Sequence, residues 1–475
     1  FAYIWPSLHP KVGAQAVCGR YDDFNSIGYG FGIDETGHLG FIVADGKEFD
    51  AVISEIPLQR HIWYFIGASY DASTGRATLH QVGVVNRYNS LWGKVTPMDY
   101  DSHVSETLRF KPKHAPDISF LVGGTWDFHV NRGKFVNELY SGKVDRPGIV
   151  SRVLSREEFD HICSGGKPPE NDILAYWDTS AGYTDTGIGD SVTDTGPYGL
   201  HAIGINKPVR AQTGWNWNGR NDCFRLAPEE YGGIEFHDDA IIDCGWDVTH
   251  RLTIPENLKS GVYAIRLRAG DATGLGEEYL VFFVRATTPR APIALLIPTA
   301  SYLAYANDHL TFDAQMAQPI VGQTPIVSDI DIEVYQSPEF GLSTYDHHQD
   351  GAGVCYSSYR RPIVSLHPKY RNPMNGVTWQ FPADLSIVAW LEHCNYDYEV
   401  LTDEDLHREG VDALSPYKCV ITGTHPEYYS ETMLDATEDF VAGGRKIRHA
   451  IQGQYWRELF AGKRVTRTNT AFLDY

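Results

Sequence analysis

At "TTPRAP", residues 287–292, the pattern of apolar residues changes, and no other feature of the chain constrains its fold as tightly. Before it, apolar and polar residues alternate between Gly, Asp and Asn turns, as in "YGFGIDETGHLGFIVADG", "RHIWYFIGASYDASTGRATLHQVGVV" and "DISFLVGGTW". Successive side chains of a strand point to opposite faces, so this alternation predicts short antiparallel strands packed as a sandwich. After it, "IALLIP" is continuously apolar, as a strand buried on both faces of a parallel sheet must be.

Beyond the switch, strands alternate with helical patterns. "DLSIVAWLEHC" has helical spacing at Leu385, Val388, Ala389 and Leu391. The strand "YEVLT", the acidic helix "DEDLHREG", the strand "YKCVIT" and the helix "ETMLDATEDFVAGG" follow. Ser430 caps the last helix and Gly443–Gly444 stop it. Repeated β-α-β units predict a doubly wound α/β domain. The chain therefore reads as multidomain β plus α/β, with a β-sandwich over 1–170, further β structure over 171–290 and an α/β domain over 291–475. "HRLTIPENLK", "SGVYAIRLRAG" and "EEYLVFFVRA" are read as strands of the middle region.

Composition narrows the partners. The net charge of −21, from 40 Lys and Arg against 61 Asp and Glu, repels nucleic acid and anionic membrane. A small neutral or cationic substrate, or a protein, is expected instead. The seven cysteines are scattered without a CxxC pair, which predicts a reducing, cytoplasmic setting rather than a disulfide framework. The longest apolar stretch, 291–306, is too short to span a bilayer and is interrupted by prolines, and no signal peptide is recognised.

In an open parallel sheet, ligands bind beyond the carboxyl ends of the strands. "IALLIPT" leads to Ser301, Tyr302 and Tyr305. "DIEVYQS", read as another strand, leads to "GLSTYDHHQDG" with Tyr345, His347 and His348, and "YKCVIT" leads to "GTHPEYYS" with His425 and Glu427. A serine nucleophile elbow, a P-loop, GxGxxG and HExxH are all absent. A metal site remains: phenolate and carboxylate suit a hard cation such as ferric iron, whereas zinc would favour imidazoles such as His347, His348 and His425. In "EFHDDAIIDCGWD", His237, Asp238 and Asp239 could hold calcium, but a solvated acidic turn is the simpler reading.

The segments "ALLIPTASYLAYAND", "STYDHHQDGAGVCYSSYRRPI", "ADLSIVAWLEHCNYDYEVLTDEDLHREG" and "YKCVITGTHPEYYSETMLDATEDFVAGGRK" resemble the large (beta) subunit of the N,N-dimethylformamidase family. The resemblance implies a mononuclear non-haem ferric iron held by Tyr305, Tyr345 and Glu427, with Tyr302 as the competing choice for the first ligand. It places Ser301 and His425 at the substrate pocket, His425 as proton donor or as a group orienting Glu427. It further implies hydrolysis of N,N-dimethylformamide to dimethylamine and formate, a small (alpha) companion subunit and a higher oligomer. The earlier strands resemble a laminin G or concanavalin-like jelly roll, and the α/β domain an amidotransferase-like one. After "VAGGRK" the family's next strand finds no match in "IRHAIQGQYWRELFAGKRVT", nor does a carboxylate expected as catalytic base, so the domain reads as short of its last strands. A zinc amidase and a non-catalytic, carbohydrate- or partner-binding jelly roll are the alternatives.

Overall fold

The computed structural model describes residues 1–8, 13–89, 99–114, 116–129, 133–184, 187–270, 276–313, 322 and 324–449. The chain divides into two compact units, Phe1–Ala240 with Gln349–Ala352, and Ile241–His348 with Gly353–Tyr475.

In the first unit, alternating apolar residues produce two facing antiparallel sheets. One runs, in spatial order, Val209–Gln212, Gly233–Phe236, Gly142–Asp145, Ala2–Pro6, Tyr64–Asp71, Arg76–Gly83 and Ser102–Thr107. The other is centred on Gln15–Asp22, Ile27–Ile33 and Leu39–Asp45. Ile4, Ile66 and Leu79 of the first sheet and Val17, Leu39, Val43 and Val52 of the second are fully buried in one core cluster. Each such aliphatic side chain contributes on the order of 1.5–3 kcal/mol through burial. A helix, Arg156–Cys163, covers the outer face of the first sheet. Ser155 caps it through a reciprocal box with Glu158, and Phe159 and Ile162 pack on Tyr3 and Phe65.

The stretch 171–290 is divided rather than forming one addition to the sandwich. Val209–Gln212 and Gly233–Phe236 extend the first sheet, and Ile173–Asp178 pairs with Gly148–Val150 in a small separate sheet. The hairpin Gly261–Ala269 with Gly276–Val284 falls in the second unit. "HRLTIPENLK" forms no strand: Leu252 and Ile254 stay exposed, and Pro255 has no N–H to offer a ladder.

The second unit is built on a parallel sheet ordered Tyr398–Thr402, Ile293–Ile297, Cys419–Thr422, Lys446–His449. The run "IALLI" is central, and its alternate residues serve two cores. Ala294 and Leu296 pack with Leu406, Leu414, Met433 and Phe440 of the helical segments on one face. Leu295 and Ile297 pack with Phe381 and Leu391 of the helix Phe381–His393, and with Val262 and Phe283 of the hairpin, on the other. Burial on both sides explains why the run carries no polar residue.

Two readings of the sequence need correction. "DIEVYQ" is a helix, Asp329–Gln336, because Ser328 and Asp331 form a capping box whose hydrogen bonds outweigh the strand preference of the Ile, Val and Tyr residues. A further strand does follow "VAGGRK": Lys446–His449 pairs in parallel with Cys419–Thr422. Residues 450–475, which hold the rest of the stretch "IRHAIQGQYWRELFAGKRVT" beyond His449, lie outside the described residues.

Candidate metal centre

The centre is built from the carboxyl ends of two adjacent central strands and one further loop. After Ile297, Pro298 leads into the helix Thr299–Ala304, and Tyr305 stands at its C-terminal cap. After Thr422, the chain turns through Gly423 and reaches the helix Glu431–Ala442, capped by Ser430. A side chain at Gly423 could not be accommodated: a Cβ there would lie 2.4 Å from Asp384 Oδ2 and 2.4 Å from Pro298 Cδ. Asp384 uses that closeness. Its carboxylate accepts the Thr424 N–H at 2.5 Å and also the Tyr302 hydroxyl.

The loop carrying Tyr345 is stitched to the Tyr305 helix. Thr344 donates its N–H and its hydroxyl to the Ala304 carbonyl, both at 3.0 Å. Buried Asp346 accepts the backbone N–H of His309 at 2.9 Å and of Ser343 at 2.8 Å. The outcome is a pair of stacked phenol rings, Tyr305 on Tyr345, with centroids 4.2 Å apart and 19° between planes.

Glu427 joins the groups. Its Oε2 accepts the Tyr305 hydroxyl at 2.6 Å and lies 2.9 Å from His425 Nε2, while Oε1 accepts the Tyr345 hydroxyl at 3.2 Å. The Tyr345 and Tyr428 hydroxyls are also in contact. Burial, reinforced by the Glu427 carboxylate, pushes the Tyr305 phenol up. Burial and the neighbouring Tyr305 do the same to Tyr345. Burial alone would raise the Glu427 carboxyl too, but bonds from His425, Tyr305 and Tyr345 hold it below the ordinary value. Two protonated phenols thus share one carboxylate. A hard cation with ferric charge would exchange those two protons for metal–oxygen bonds, and the all-oxygen donor set of Tyr305, Tyr345 and Glu427 fits such an ion.

The other expected residues separate clearly. Tyr302 is buried and gives its hydroxyl to Asp384, away from Glu427. Ser301 is fully buried and its Oγ accepts the Glu427 N–H at 2.9 Å, so it fixes the carboxylate from behind. His347 is exposed and His348 buried, and among the described residues no three His, Cys, Asp or Glu side chains form a metal-holding group, so a zinc site of His347, His348 and His425 is not assembled. In the sandwich, His237, Asp238 and Asp239 are not a solvated turn. His237 Nδ1 pairs with the buried Asp350 Oδ2 at 3.1 Å, Asp238 accepts the Ser141 hydroxyl at 3.0 Å, and Asp239 accepts the Gln349 N–H at 3.0 Å.

Sequence reasoning missed Trp379. Its ring lies 4.8 Å from that of His425 and meets Tyr305 edge-on at 6.0 Å. The next residue, Gln380, adopts φ 55°, a left-handed conformation that costs a residue with a side chain on the order of 1–3 kcal/mol. Its carbonyl accepts the Ala383 and Asp384 N–H groups at the start of the helix. A loop tryptophan with no motif around it gives no signal in the sequence, although the Trp-Gln-Phe-Pro start of a helix could have marked the spot.

Comparison with known proteins places these observations in a family. The N,N-dimethylformamidase beta subunit-like, C-terminal family model matches residues 209–472. The N,N-dimethylformamidase beta subunit of Paracoccus aminophilus is 40% identical over 463 residues, and that of an Alcaligenes species 38% identical over 461. Each alignment covers 96% of this chain, and the chain spans 59% of the length of either relative. A solved structure from Bacteroides ovatus, 14% identical over 41% of this chain and 48% of its own, reaches a TM-score of only 0.28 and does not bear on the fold. On the family match, the chain belongs to the N,N-dimethylformamidase beta subunit-like family.

Proposed function

We propose that this chain is the metal-bearing part of an iron-dependent amidohydrolase that cleaves the C–N bond of a small N-substituted amide, N,N-dimethylformamide to dimethylamine and formate. The observation that carries the reading is the convergence of the Tyr305 and Tyr345 hydroxyls on Glu427, where a single hard cation would find three oxygen donors. The names of the two relatives supply the substrate. A ferric ion held by these residues would polarise the amide carbonyl and lower the pKa of a bound water.

The chain's own groups do the rest. The hydrogen bond between Ser301 Oγ and the Glu427 N–H fixes the carboxylate's backbone. Asp384 holds the turn that presents His425. His425 Nε2, 2.9 Å from Glu427 Oε2, sits where it can hold a proton for the departing amine, which leaves poorly unless its nitrogen is protonated. We read the facing sheets as a laminin G-like jelly roll and the parallel sheet as a doubly wound, amidotransferase-like domain. We further propose a small alpha companion subunit within a higher oligomer. We also propose a cytoplasmic setting: no disulfide forms among the described residues, and none of the described helices is long and apolar enough to cross a membrane.

The test is metal analysis combined with turnover. The assembled protein should contain about one iron per chain, show a visible phenolate-to-iron absorption, and release dimethylamine from dimethylformamide. Chelation should abolish turnover and iron, but not zinc, should restore it. Full activity after exhaustive iron removal would sink the reading.

A further inference from the structure

The groups that meet at Glu427 are two stacked phenols and an imidazole, and the Tyr428 hydroxyl joins that of Tyr345. All are polar or ionisable. A substrate bearing N-alkyl groups needs something else, an apolar surface on which those groups lose their contact with water. Trp379 supplies one. Its indole lies against His425 and edge-on to Tyr305, it is only partly buried, and among the described residues its N–H has no hydrogen-bond acceptor. A tryptophan that packs on the proposed proton donor and keeps part of its surface accessible is placed to be covered by a ligand.

Its position is also fixed, as a wall requires. Trp379 is followed by Gln380 in its left-handed conformation, and the Gln380 carbonyl ties it to the first turn of the helix Phe381–His393. From that same turn, Asp384 reaches across to the Thr424 N–H, one residue before His425. One clasp therefore sets both the indole and the imidazole it touches, and the distance between the apolar surface and the proton donor is built into the fold.

We propose that Trp379 is the specificity-determining wall that receives the N-alkyl groups of the amide, so that the site favours N-alkylated amides over unsubstituted ones. This rests on the amidohydrolase reading above. Discrimination by a hydrophobic surface amounts to about 10- to 200-fold per methyl-sized group. Two methyl groups against an indole face should therefore give a readily measured preference.

The experiment compares formamide, N-methylformamide and N,N-dimethylformamide as substrates of the full-length chain assembled with its companion subunit and loaded with iron. Trp379→Ala should lower the kcat/KM ratio of dimethylformamide to formamide at least about 10-fold. The loss should appear mainly as a raised KM for the alkylated amides, with the visible phenolate-to-iron band unchanged. Trp379→Gln, which keeps bulk but replaces the apolar face with a polar amide, should lose the preference as the alanine variant does and serves if that variant does not assemble. An unchanged ratio in either variant, or an equal fall in kcat for all three amides, overturns this inference alone. Failure of the unaltered complex to hydrolyse any of the three overturns the amidohydrolase reading and this inference with it.

Discussion

Tyr305 and Tyr345 come from separate loops, yet their rings lie face to face at 4.2 Å. The stack is held by ring contact and by the Thr344–Ala304 hydrogen bonds, whereas the hydroxyls reach past it to Glu427. Ring packing and the hydroxyl contacts can therefore be separated by removing oxygen alone. Tyr305→Phe and Tyr345→Phe should each leave thermal stability nearly unchanged but lower activity on the order of 100-fold or more, with loss of bound iron and of the visible band. Iron content and absorption measured beside Tm check this.

Asp384 is a buried carboxylate pushed up by its burial, an effect that the bonds from Tyr302 and Thr424 only partly offset. Asp384→Ala would leave the Tyr302 hydroxyl and the Thr424 N–H without their acceptor, at about 1–3 kcal/mol for each group. Asp384→Asn keeps one acceptor oxygen and should recover part of that loss. Chemical denaturation of the two variants beside the unaltered protein gives the comparison, and the alanine variant should also bind iron about 10- to 100-fold more weakly.

Gly423 is required by contact, not by backbone angle. Gly423→Ala would drive a methyl group into the Asp384 carboxylate and the Pro298 ring. The expected destabilisation is about 1–3 kcal/mol, read as a lower Tm, with the phenolate-to-iron band weakened because the turn bearing Glu427 must shift.

The His237–Asp350 pair makes sandwich stability depend on pH. Burial would lower His237, but the Asp350 carboxylate, helped by Glu235 and Asp239, raises it above 6.5. Burial would raise Asp350, but bonds from His237, Ser7 and the Ala352 N–H hold it far below 3.8. The histidine's contribution is complete below 6.5 and is lost as pH rises through its folded value. That of the aspartate is complete above 3.8 and is lost as pH falls through its folded value. Both are in full between 3.8 and 6.5. Unfolding followed from about pH 5 to about pH 8 should show stability declining on the alkaline side. His237→Gln should remove that decline and cost about 3–5 kcal/mol by leaving a buried carboxylate unpaired.

The parts of the fold legible in the sequence were those fixed by local periodicity or capping. The uninterrupted apolar run at Ile293–Ile297 could only be a strand buried on both sides, and Ser430 caps its helix by accepting the Met433 N–H. Asp329–Gln336 was misread because its Ile, Val and Tyr residues carry strand preference, while the deciding Ser328–Asp331 box lies at its margin. At the candidate centre, the strand-end rule found Tyr305, His425 and Glu427, and the family resemblance chose among the tyrosines. The Asp384 clasp and Trp379 depend on how the helix Phe381–His393 docks on the turn after Thr422, a long-range relationship that leaves no periodic trace.

The order of the parallel sheet bears on how rigidly the candidate centre is held. Among the described residues, Ile293–Ile297 and Cys419–Thr422, which feed Tyr305 and Glu427, are the two inner strands, and Tyr398–Thr402 and Lys446–His449 form the rims. Transient openings start at rims, where backbone hydrogen bonds have a partner on one side only. Amide protons at Leu295 and Val420 should consequently be among the last to exchange with solvent, and the rim at Lys446–His449 among the first. The loops bearing Tyr305 and Glu427 are thus rooted in the most slowly breathing part of the sheet, so the candidate centre keeps its geometry through fluctuations that unzip the margin.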